Sequence, residues 1–249
     1  MLEEFEIKRK VLIKYNGDSK NPVIPYGVKK IASDAFYCAK IDTVSIPETV
    51  KEICDNAFIG SYLREVTIPK SVEHIGEGAF ALCDYLHSFT VLNSKMTIGT
   101  GPVGTIFCAC RRLSEVNLPD DMPRATGIYN GASKVKSVKL LPTETEIAPL
   151  AFCGCYYLKE VIIPEGVTKI DYGAFMDCIA LRKVILPEGV TEIGIKAFYN
   201  CRSLRTVIIP KSVKTVGANS FADCYNLGER TKAKIDKIEE VVYVKGDWD

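Results

Sequence analysis

A repeated apolar segment, found every 22 or 23 residues, limits what this 249-residue chain can fold into. The segment LKEVIIP at 158–164 is followed by LRKVILP at 181–187 and LRTVIIP at 204–210. The first apolar position of each copy falls at Ile41, Leu63, Leu86, Leu113, Val135, Leu158, Leu181, Leu204 and Leu227. One interval is longer (113 − 86 = 27 residues), and a less regular repeat precedes the others from about Ser19. Self-similarity at this period is typical of a solenoid.

Each repeat follows the pattern L-x-x-V-x-I-P-x-x-V-x-x-I-x-x-x-A-F-x-x-C-x-x. The opening alternation predicts a half-buried strand, and proline ends it because proline cannot donate to a ladder. We expect the V-x-x-I and Ala-Phe positions to turn the chain back across the convex side. One repeat cannot bury its apolar face alone, whereas stacked repeats form a continuous core. The predicted fold is an α/β-type repeat solenoid, mostly β and irregular, with a parallel concave sheet and about nine repeats.

One aromatic position recurs in every repeat. Because large aromatic side chains dominate core burial, we interpret this series as a stacked spine of the core rather than a binding stripe. Its members are Phe36, Phe58, Phe80, Phe107, Tyr129, Phe152, Phe175, Phe198 and Phe221.

These motifs resemble the BspA-like, or Treponema-type, leucine-rich repeat family over residues 5–227. The match is carried by the L-x-x-V-x-I-P strand, by the Ile-Gly pairs at 75–76 and 193–194, and by the Ala-Phe-x-x-Cys closures. The opening residues 5–18 are similar to that family's N-terminal cap. The resemblance implies a right-handed leucine-rich-repeat coil, and a role in adhesion or protein binding at the surface of a bacterium or protist. It implies no reaction.

The predicted organisation is a single structural domain. An N-terminal cap covers 1–18, the solenoid covers 19–226, and a C-terminal cap or tail covers 227–249, with a short helix or strand expected within 234–243. The added length of the fourth repeat is placed at about 92–106 as a loop. Insertions in solenoids often lie on a binding face. Sequence drift in a repeat that tolerates extra residues explains the added length equally well.

Charge and hydropathy exclude several classes of function. Lys and Arg number 32 against 31 Asp and Glu, so there is no basic excess of the kind that nucleic-acid binding requires. No run of 18 apolar residues predicts a membrane span, and the first residues lack the pattern of a secretory signal. As written the chain is cytoplasmic, whereas the family resemblance suggests the cell surface or secretion.

Most of the 10 cysteines belong to the repeat. Six occupy its closing position, and we expect them to be reduced, structural thiols, because buried cysteine behaves as a small hydrophobe. They are Cys83, Cys110, Cys155, Cys178, Cys201 and Cys224.

Motifs that would carry metal, cofactor or catalytic chemistry are weak. The C-x-C pairs at 108–110 and 153–155 lack zinc spacing, and the G-x-G-x-x-G match at 99–104 contains Pro102 and precedes no predicted helix. His74 and His87 are the only histidines, and neither lies in a recognisable catalytic signature. We therefore predict no metal, no cofactor and no enzyme.

Two positions of each strand should face outward, because side chains alternate between the faces of a sheet. The third-position series is Thr43, Glu65, Ser88, Glu115, Ser137, Glu160, Lys183 and Thr206. The fifth-position series is Ser45, Thr67, Thr90, Asn117, Lys139, Ile162, Ile185 and Ile208. Its last three members form an isoleucine strip. Lys159, Arg182 and Arg205 at the second position form a basic edge beside it.

Exposed apolar rows of this kind often mark contact surfaces. We predict that the isoleucine strip docks a protein partner, together with Glu160, Lys183, Thr206, Arg182 and Arg205. The competing interpretation is that isoleucine is present only for its β-propensity.

The sequence favours a monomeric, non-catalytic recognition protein. A glycan- or matrix-binding adhesin is the first alternative, although the two outward series contain none of the Tyr or Trp platforms that would favour it. A structural module of a larger assembly is the second alternative.

Overall fold

The structure is a computed structural model that describes residues 4–99, 106–124 and 126–239. The chain divides into two compact units. Unit 1 comprises Met1–Met122 with Asn130–Val135, and unit 2 comprises Pro123–Tyr129 with Lys136–Asp249. The fold is a parallel-strand β-solenoid of about nine turns, as the repeat predicts.

The described residues form seventeen strands and one helix. In chain order these are β1 (Phe5–Lys8), β2 (Val11–Tyr15), β3 (Lys30–Ile31), β4 (Glu52–Ile53), β5 (Glu65–Ile68), β6 (His74–Ile75), β7 (Ser88–Val91), β8 (Thr97–Ile98), β9 (Glu115–Asn117), β10 (Ser137–Lys139), β11 (Glu146–Ile147), β12 (Glu160–Ile162), β13 (Lys169–Ile170), β14 (Lys183–Ile185), β15 (Glu192–Ile193), β16 (Thr206–Ile208), β17 (Thr215–Val216) and α1 (Glu229–Glu239).

The L-x-x-V-x-I segment of each repeat forms the first-strand series. Its members pair in parallel as β5-β7-β9 in unit 1 and as β10-β12 and β14-β16 in unit 2. Burial alternates as predicted: Val161, Val184 and Val207 are buried while their neighbours on both sides are exposed. The strand's outer face is therefore free to vary, because the core uses only alternate residues.

A second series of parallel strands comes from the V-x-x-I segment, for which the sequence predicted only a turn. In unit 1 these two-residue strands belong to a six-stranded sheet that also includes β1 and β2. In unit 2 they form a four-stranded sheet of their own. The last residue of each strand is the Ile or Val of the motif. Ile170 and Ile193, for example, lie in register and are fully buried. The extended backbone of this second-strand series lets one repeat bond to the next at a second point.

The N-terminal residues form an antiparallel hairpin of β1 and β2. Strand β2 then pairs in parallel with β3, with Val11 opposite Lys30 and Leu12 opposite Ile31. The hairpin thus covers the first edge of the second-strand sheet in unit 1. The outer strand of the hairpin, β1, is then the terminal strand of this sheet.

The added residues of the fourth repeat follow Ile98. Thr97 pairs with His74, and Ile98 pairs with Ile75, in unbroken register. The extra length therefore falls between Ile98 and Phe107. The structure does not describe residues 100–105, so most of the G-x-G-x-x-G match lies outside the described residues.

The aromatic side chains stack along the core, as predicted. In unit 1 the Phe36 and Phe58 ring centroids are 4.6 Å apart, and in unit 2 those of Phe152 and Phe175 are 5.1 Å apart. Tyr15, from the hairpin, extends the series by stacking 5.1 Å from Phe36. All the predicted members are buried except Phe221, which is half-buried at the end of the series.

The longer repeat interrupts this regular stacking. Phe80 and Phe107 are 6.4 Å apart, and their rings are tilted. Phe89 replaces the usual valine of the strand and contacts both rings edge-on, at 5.2 and 4.7 Å. A larger side chain at this position thus fills the space that the wider spacing opens.

Tight turns beside the aromatic residues require a left-handed backbone. Where both flanking residues are described, the residues two before and two after the ring have positive φ, including Asn56 (57°) and Gly60 (68°) around Phe58. Asn200 (59°) and Asp223 (61°) occupy the later position in unit 2. Asn, Asp and Gly tolerate this conformation best, which explains why they recur there.

Helix α1 takes the place of the first-series strand that would follow Leu227 in unit 2. It begins after Gly228, whose carbonyl accepts a hydrogen bond from the Thr231 N–H. The helix contacts β16 and β17, with Ile235 buried and the Lys234 Nζ donating to the Ile209 carbonyl. It begins five residues before the predicted 234–243 segment, and residues 240–243 lie outside the described residues. In the described part of the chain, no helix is long and apolar enough to cross a membrane.

Replacing Phe175 by Ala should lower the free energy of unfolding by about 3–5 kcal/mol, because the ring is fully buried between two others. Urea unfolding followed by circular dichroism measures the loss. Phe175→Leu, which keeps most of the volume, should lose less. Phe221→Ala is the matched control, because this ring is half-exposed and stacks only on Phe198 among the described rings. Equal losses at Phe175 and Phe221 would contradict the stacked core.

Candidate interaction surface

The isoleucine strip lies on the exposed face of the first-strand series in unit 2. Ile162 is 79% exposed, and Ile185 and Ile208 are each 49% exposed. Ile185 and Ile208 are directly opposite each other in the β14–β16 pair. Ile162, in β12, lies opposite Lys139 of β10. The strip is therefore one row of side chains that runs across neighbouring strands.

The basic edge is a second row, parallel to the strip. Backbone hydrogen bonds link its residues in order, from the Arg182 N–H to the Lys159 carbonyl (3.3 Å) and from the Arg205 N–H to the Arg182 carbonyl (3.0 Å). A further bond from the Lys159 N–H to the Lys136 carbonyl (2.9 Å) extends the row by one repeat. All four side chains are exposed.

The third-position candidates lie between these two rows. Glu160 is opposite Ser137, and Lys183 is opposite Thr206. All three candidates, Glu160, Lys183 and Thr206, are exposed. The eight candidate residues are therefore all exposed at neighbouring positions of consecutive repeats, where an apolar row and a cationic row run side by side.

The same positions in unit 1 present a polar surface. Thr43, Ser45, Glu65, Thr67 and Thr90 line an open groove of about 400 Å³. Some of these hydroxyls already bond within the face: Thr43 Oγ1 donates to Asn21 Oδ1 at 2.8 Å, for example. This groove offers hydroxyl and carboxylate groups to a ligand rather than an apolar contact.

Exposed tyrosines form a feature that the sequence did not predict. Tyr62 and Tyr85 pack edge to face at 5.2 Å, and the Arg112 guanidinium lies 5.1 Å from the centre of the Tyr85 ring. Tyr62, Tyr85 and Arg112 each stand immediately before the first apolar position of a repeat. Outward-facing residues were predicted only at the third and fifth strand positions, so this position was missed. The signal in the sequence was the occurrence of Tyr, Tyr and Arg at this same position of three consecutive repeats.

The six closing cysteines all make the same type of hydrogen bond. Each Sγ donates to the carbonyl of the aromatic residue in the preceding repeat, at 3.0–3.2 Å; Cys178, for example, donates to Phe152 at 3.2 Å. The six side chains are buried, and all ten cysteines are thiols. The closing cysteine therefore ties consecutive repeats together as a small buried donor.

Burial suppresses the reactivity of two of these thiols, Cys178 and Cys201. It raises the pKa of the Cys178 thiol well above its ordinary value, and it raises the pKa of Cys201 in the same way. Since the thiolate is the nucleophile and the metal ligand, a raised pKa opposes both roles. Within the described residues, no group of three or more His, Cys, Asp or Glu side chains is arranged to hold a metal ion.

The two histidines occupy separate polar positions in unit 1. His74 Nδ1 lies 2.9 Å from Thr97 Oγ1, its neighbour across the second-strand series. His87 is exposed, and its backbone carbonyl accepts a hydrogen bond from Ser114 Oγ at 3.3 Å. Both residues thus take part in the contacts between one repeat and the next.

Comparison with known proteins identifies the class. The model of the BspA type leucine rich repeat region matches in six copies, over residues 7–125 and 125–244. The chain therefore belongs to the BspA-type leucine-rich repeat family, which confirms the resemblance seen in the motifs. Proteins of this family generally act in binding or adhesion and are typically non-enzymatic.

Several solved structures are similar to the chain. A leucine-rich repeat protein from Bacteroides ovatus is 23% identical over 88% of this chain and 75% of its own, with a TM-score of 0.43. The pneumococcal vaccine antigen PcpA is 16% identical over 90% and 85%, with a TM-score of 0.41. A T. pallidum leucine-rich repeat protein is 20% identical over 99% and 97%, with a TM-score of 0.37. No curated protein matches the sequence significantly.

The raised pKa of Cys178 predicts a loss of stability at alkaline pH. Above about pH 8.5 an unfolded thiol loses its proton while the buried thiol keeps it, so the free energy of unfolding falls until pH reaches the native pKa. Cys178→Ala should make this fall shallower by about 1 kcal/mol per pH unit, as measured by urea unfolding between pH 8 and 10. Cys38→Ala, which removes an exposed thiol, is the control for the loss of a cysteine itself. A slope that Cys178→Ala does not alter would refute the buried neutral thiol.

Proposed function

We propose that this protein is a non-catalytic recognition protein that binds a protein partner through the first-strand face of unit 2. The observation that carries the proposal is the exposure of Ile162, Ile185 and Ile208 in one row across β12, β14 and β16. Burying an exposed isoleucine side chain is worth roughly 1.5–3 kcal/mol, so a partner that covers this row gains substantial binding free energy.

The β-propensity of isoleucine does not account for the row by itself. Unit 1 builds the same strand geometry with Thr67 and Thr90 at the equivalent position, and β9 does so with Asn117. Threonine is also β-branched and would form the strand without exposing an apolar surface. Strand formation therefore permits isoleucine here without requiring it.

The neighbouring polar residues support recognition of a protein. Arg182 and Arg205 flank the strip on one side, and Glu160, Lys183 and Thr206 lie between the two rows. An apolar centre bordered by charged groups is the usual anatomy of a protein interface, in which the border supplies orientation and specificity.

The triple variant Ile162→Ser, Ile185→Ser, Ile208→Ser should abolish partner binding while the solenoid remains folded. Wild type and variant are each immobilised and exposed to lysate and culture medium of the source organism, and the retained proteins are compared by mass spectrometry. A candidate counts as a partner when its purified form binds the wild type directly, and its affinity for the variant should then be at least about tenfold weaker.

The matched control replaces three other exposed apolar residues of unit 2, through Tyr172→Ser, Ile179→Ser and Tyr225→Ser. This variant should retain the partner. Thermal unfolding and light scattering check that all forms are folded and have the same mass. Partners that bind the strip variant as tightly as the wild type would show that recognition takes place elsewhere.

A glycan-binding adhesin is the second candidate, and the groove in unit 1 is the observation that favours it. Its hydroxyl groups and the Glu65 carboxylate can exchange hydrogen bonds with sugar hydroxyls, and Tyr62 and Tyr85 are exposed nearby in sequence. Glycan-array binding that is lost in Glu65→Ala and kept in Glu160→Ala would support this candidate. An array without any bound glycan would count against it.

A further inference from the structure

The basic edge of unit 2 is unpaired. In the described part of the chain, the side chains of Lys136, Lys159, Arg182 and Arg205 make no ion pair and no hydrogen bond. Lys139 and Lys183, two further cations of this face, also make no ion pair and no hydrogen bond with their side chains. Glu160 is the single acidic residue among the outward residues of β10, β12, β14 and β16.

The same row in unit 1 is balanced. There the Arg64 Nε lies 3.2 Å from Asp42 Oδ1, and both residues occupy the second position of consecutive repeats. Like charges directly opposite each other destabilise a sheet, whereas opposite charges stabilise it. Four successive cations in unit 2 therefore work against the fold, and an anionic partner would relieve their repulsion.

The spacing of the isoleucine strip indicates the shape of that partner. Neighbouring strands lie about 4.8 Å apart, so Ile162 and Ile208 are separated by about 9.6 Å along the stack. An α-helix repeats one face every 5.4 Å or so, about 10.8 Å over two turns. A β-strand repeats one face every ~6.7 Å, about 13.4 Å over two steps. A helix lying along the stack matches the three isoleucines, and an extended chain does not.

The separation of the two rows fits the same partner. The basic edge lies three residues before the strip in each repeat, just ahead of β12, β14 and β16, so the two rows are at most about 10 Å apart. A helix with its side chains is about 10–12 Å wide. A helix centred over the strip has its flank about 5–6 Å to the side, and the long side chains of Lys159, Arg182 and Arg205 span the remaining gap to carboxylates on that flank.

We propose that the segment recognised by this face is an acidic amphipathic α-helix. Its apolar residues at i, i+4 and i+7 contact Ile162, Ile185 and Ile208, and carboxylates along one flank pair with the basic edge. The inference rests on the proposed function, because it specifies which partner the isoleucine strip accepts.

The test uses synthetic fluorescent peptides and the whole protein. The probe is an alanine-rich helical peptide with leucines at i, i+4 and i+7 and glutamates along one flank. A second peptide has lysines in place of the glutamates, and a third keeps the composition but contains two central prolines that prevent a helix. Fluorescence anisotropy should show the probe binding the wild type at least tenfold more tightly than the other two, with an affinity that falls as salt rises.

Charge-reversal variants locate the contact. Arg182→Glu with Arg205→Glu should weaken binding of the acidic probe at least tenfold and should strengthen binding of the lysine peptide. Lys211→Glu with Lys214→Glu is the matched control, because it changes the net charge equally at exposed lysines of unit 2 outside the basic edge. This control should change the affinity for the probe less than twofold.

The outcomes separate this inference from the proposed function. Equal binding of the helical and the proline-containing peptides would overturn the inference that the partner is helical. If the triple isoleucine variant then bound neither peptide, the isoleucine strip would still be the docking site. Absence of binding by the acidic helix would overturn the inference as well. The proposed function fails on a different result, namely that the natural partner binds the triple isoleucine variant as tightly as the wild type.

Discussion

The stack of aromatic rings is the interaction on which the rest of the solenoid depends. Rings such as Phe152, Phe175 and Phe198 lie about one strand spacing apart, at 5.1 and 5.2 Å, and each ring's backbone is bonded to the next repeat. The Phe152 N–H donates to the Ala174 carbonyl at 2.8 Å, while the Phe152 carbonyl accepts the Cys178 thiol at 3.2 Å. Ring packing and backbone bonding thus impose the same spacing on the regular repeats.

This constraint explains the distribution of cysteine in the sequence. The closing position faces a carbonyl in a space that the rings leave small, so it needs a compact side chain that can donate a hydrogen bond. Six cysteines meet both requirements, and Ser133 occupies a nearby buried position and donates to the Cys110 carbonyl at 3.0 Å. A cysteine content that would suggest disulfides or metal binding in another chain therefore follows here from the packing of the repeat.

The features that could be predicted from the sequence are those that depend on spacing alone. The period identified the buried rings, and alternation within L-x-x-V-x-I placed the isoleucine strip and the basic edge in two rows. The second-strand series was missed because two residues such as Thr215–Val216 are too few to show an alternation. Whether a cation is paired depends on its partner's rotamer and on which repeats adjoin, as the Arg64–Asp42 contact in unit 1 shows. The unpaired state of Arg182 and Arg205 therefore became visible only in three dimensions.

The recognition proposed for this face would gain from the rigidity that the core imposes. The strip residues are β-branched, so their χ1 angles are restricted, and their backbone is held by register with neighbouring strands. Little side-chain freedom remains to be lost when a partner binds, and that loss is one of the main costs of association. The guanidinium groups of Arg182 and Arg205 are longer and can adjust to a carboxylate after the apolar contact forms. A rigid apolar row beside an adaptable cationic row suits a partner whose shape is regular and whose charges are spaced less strictly.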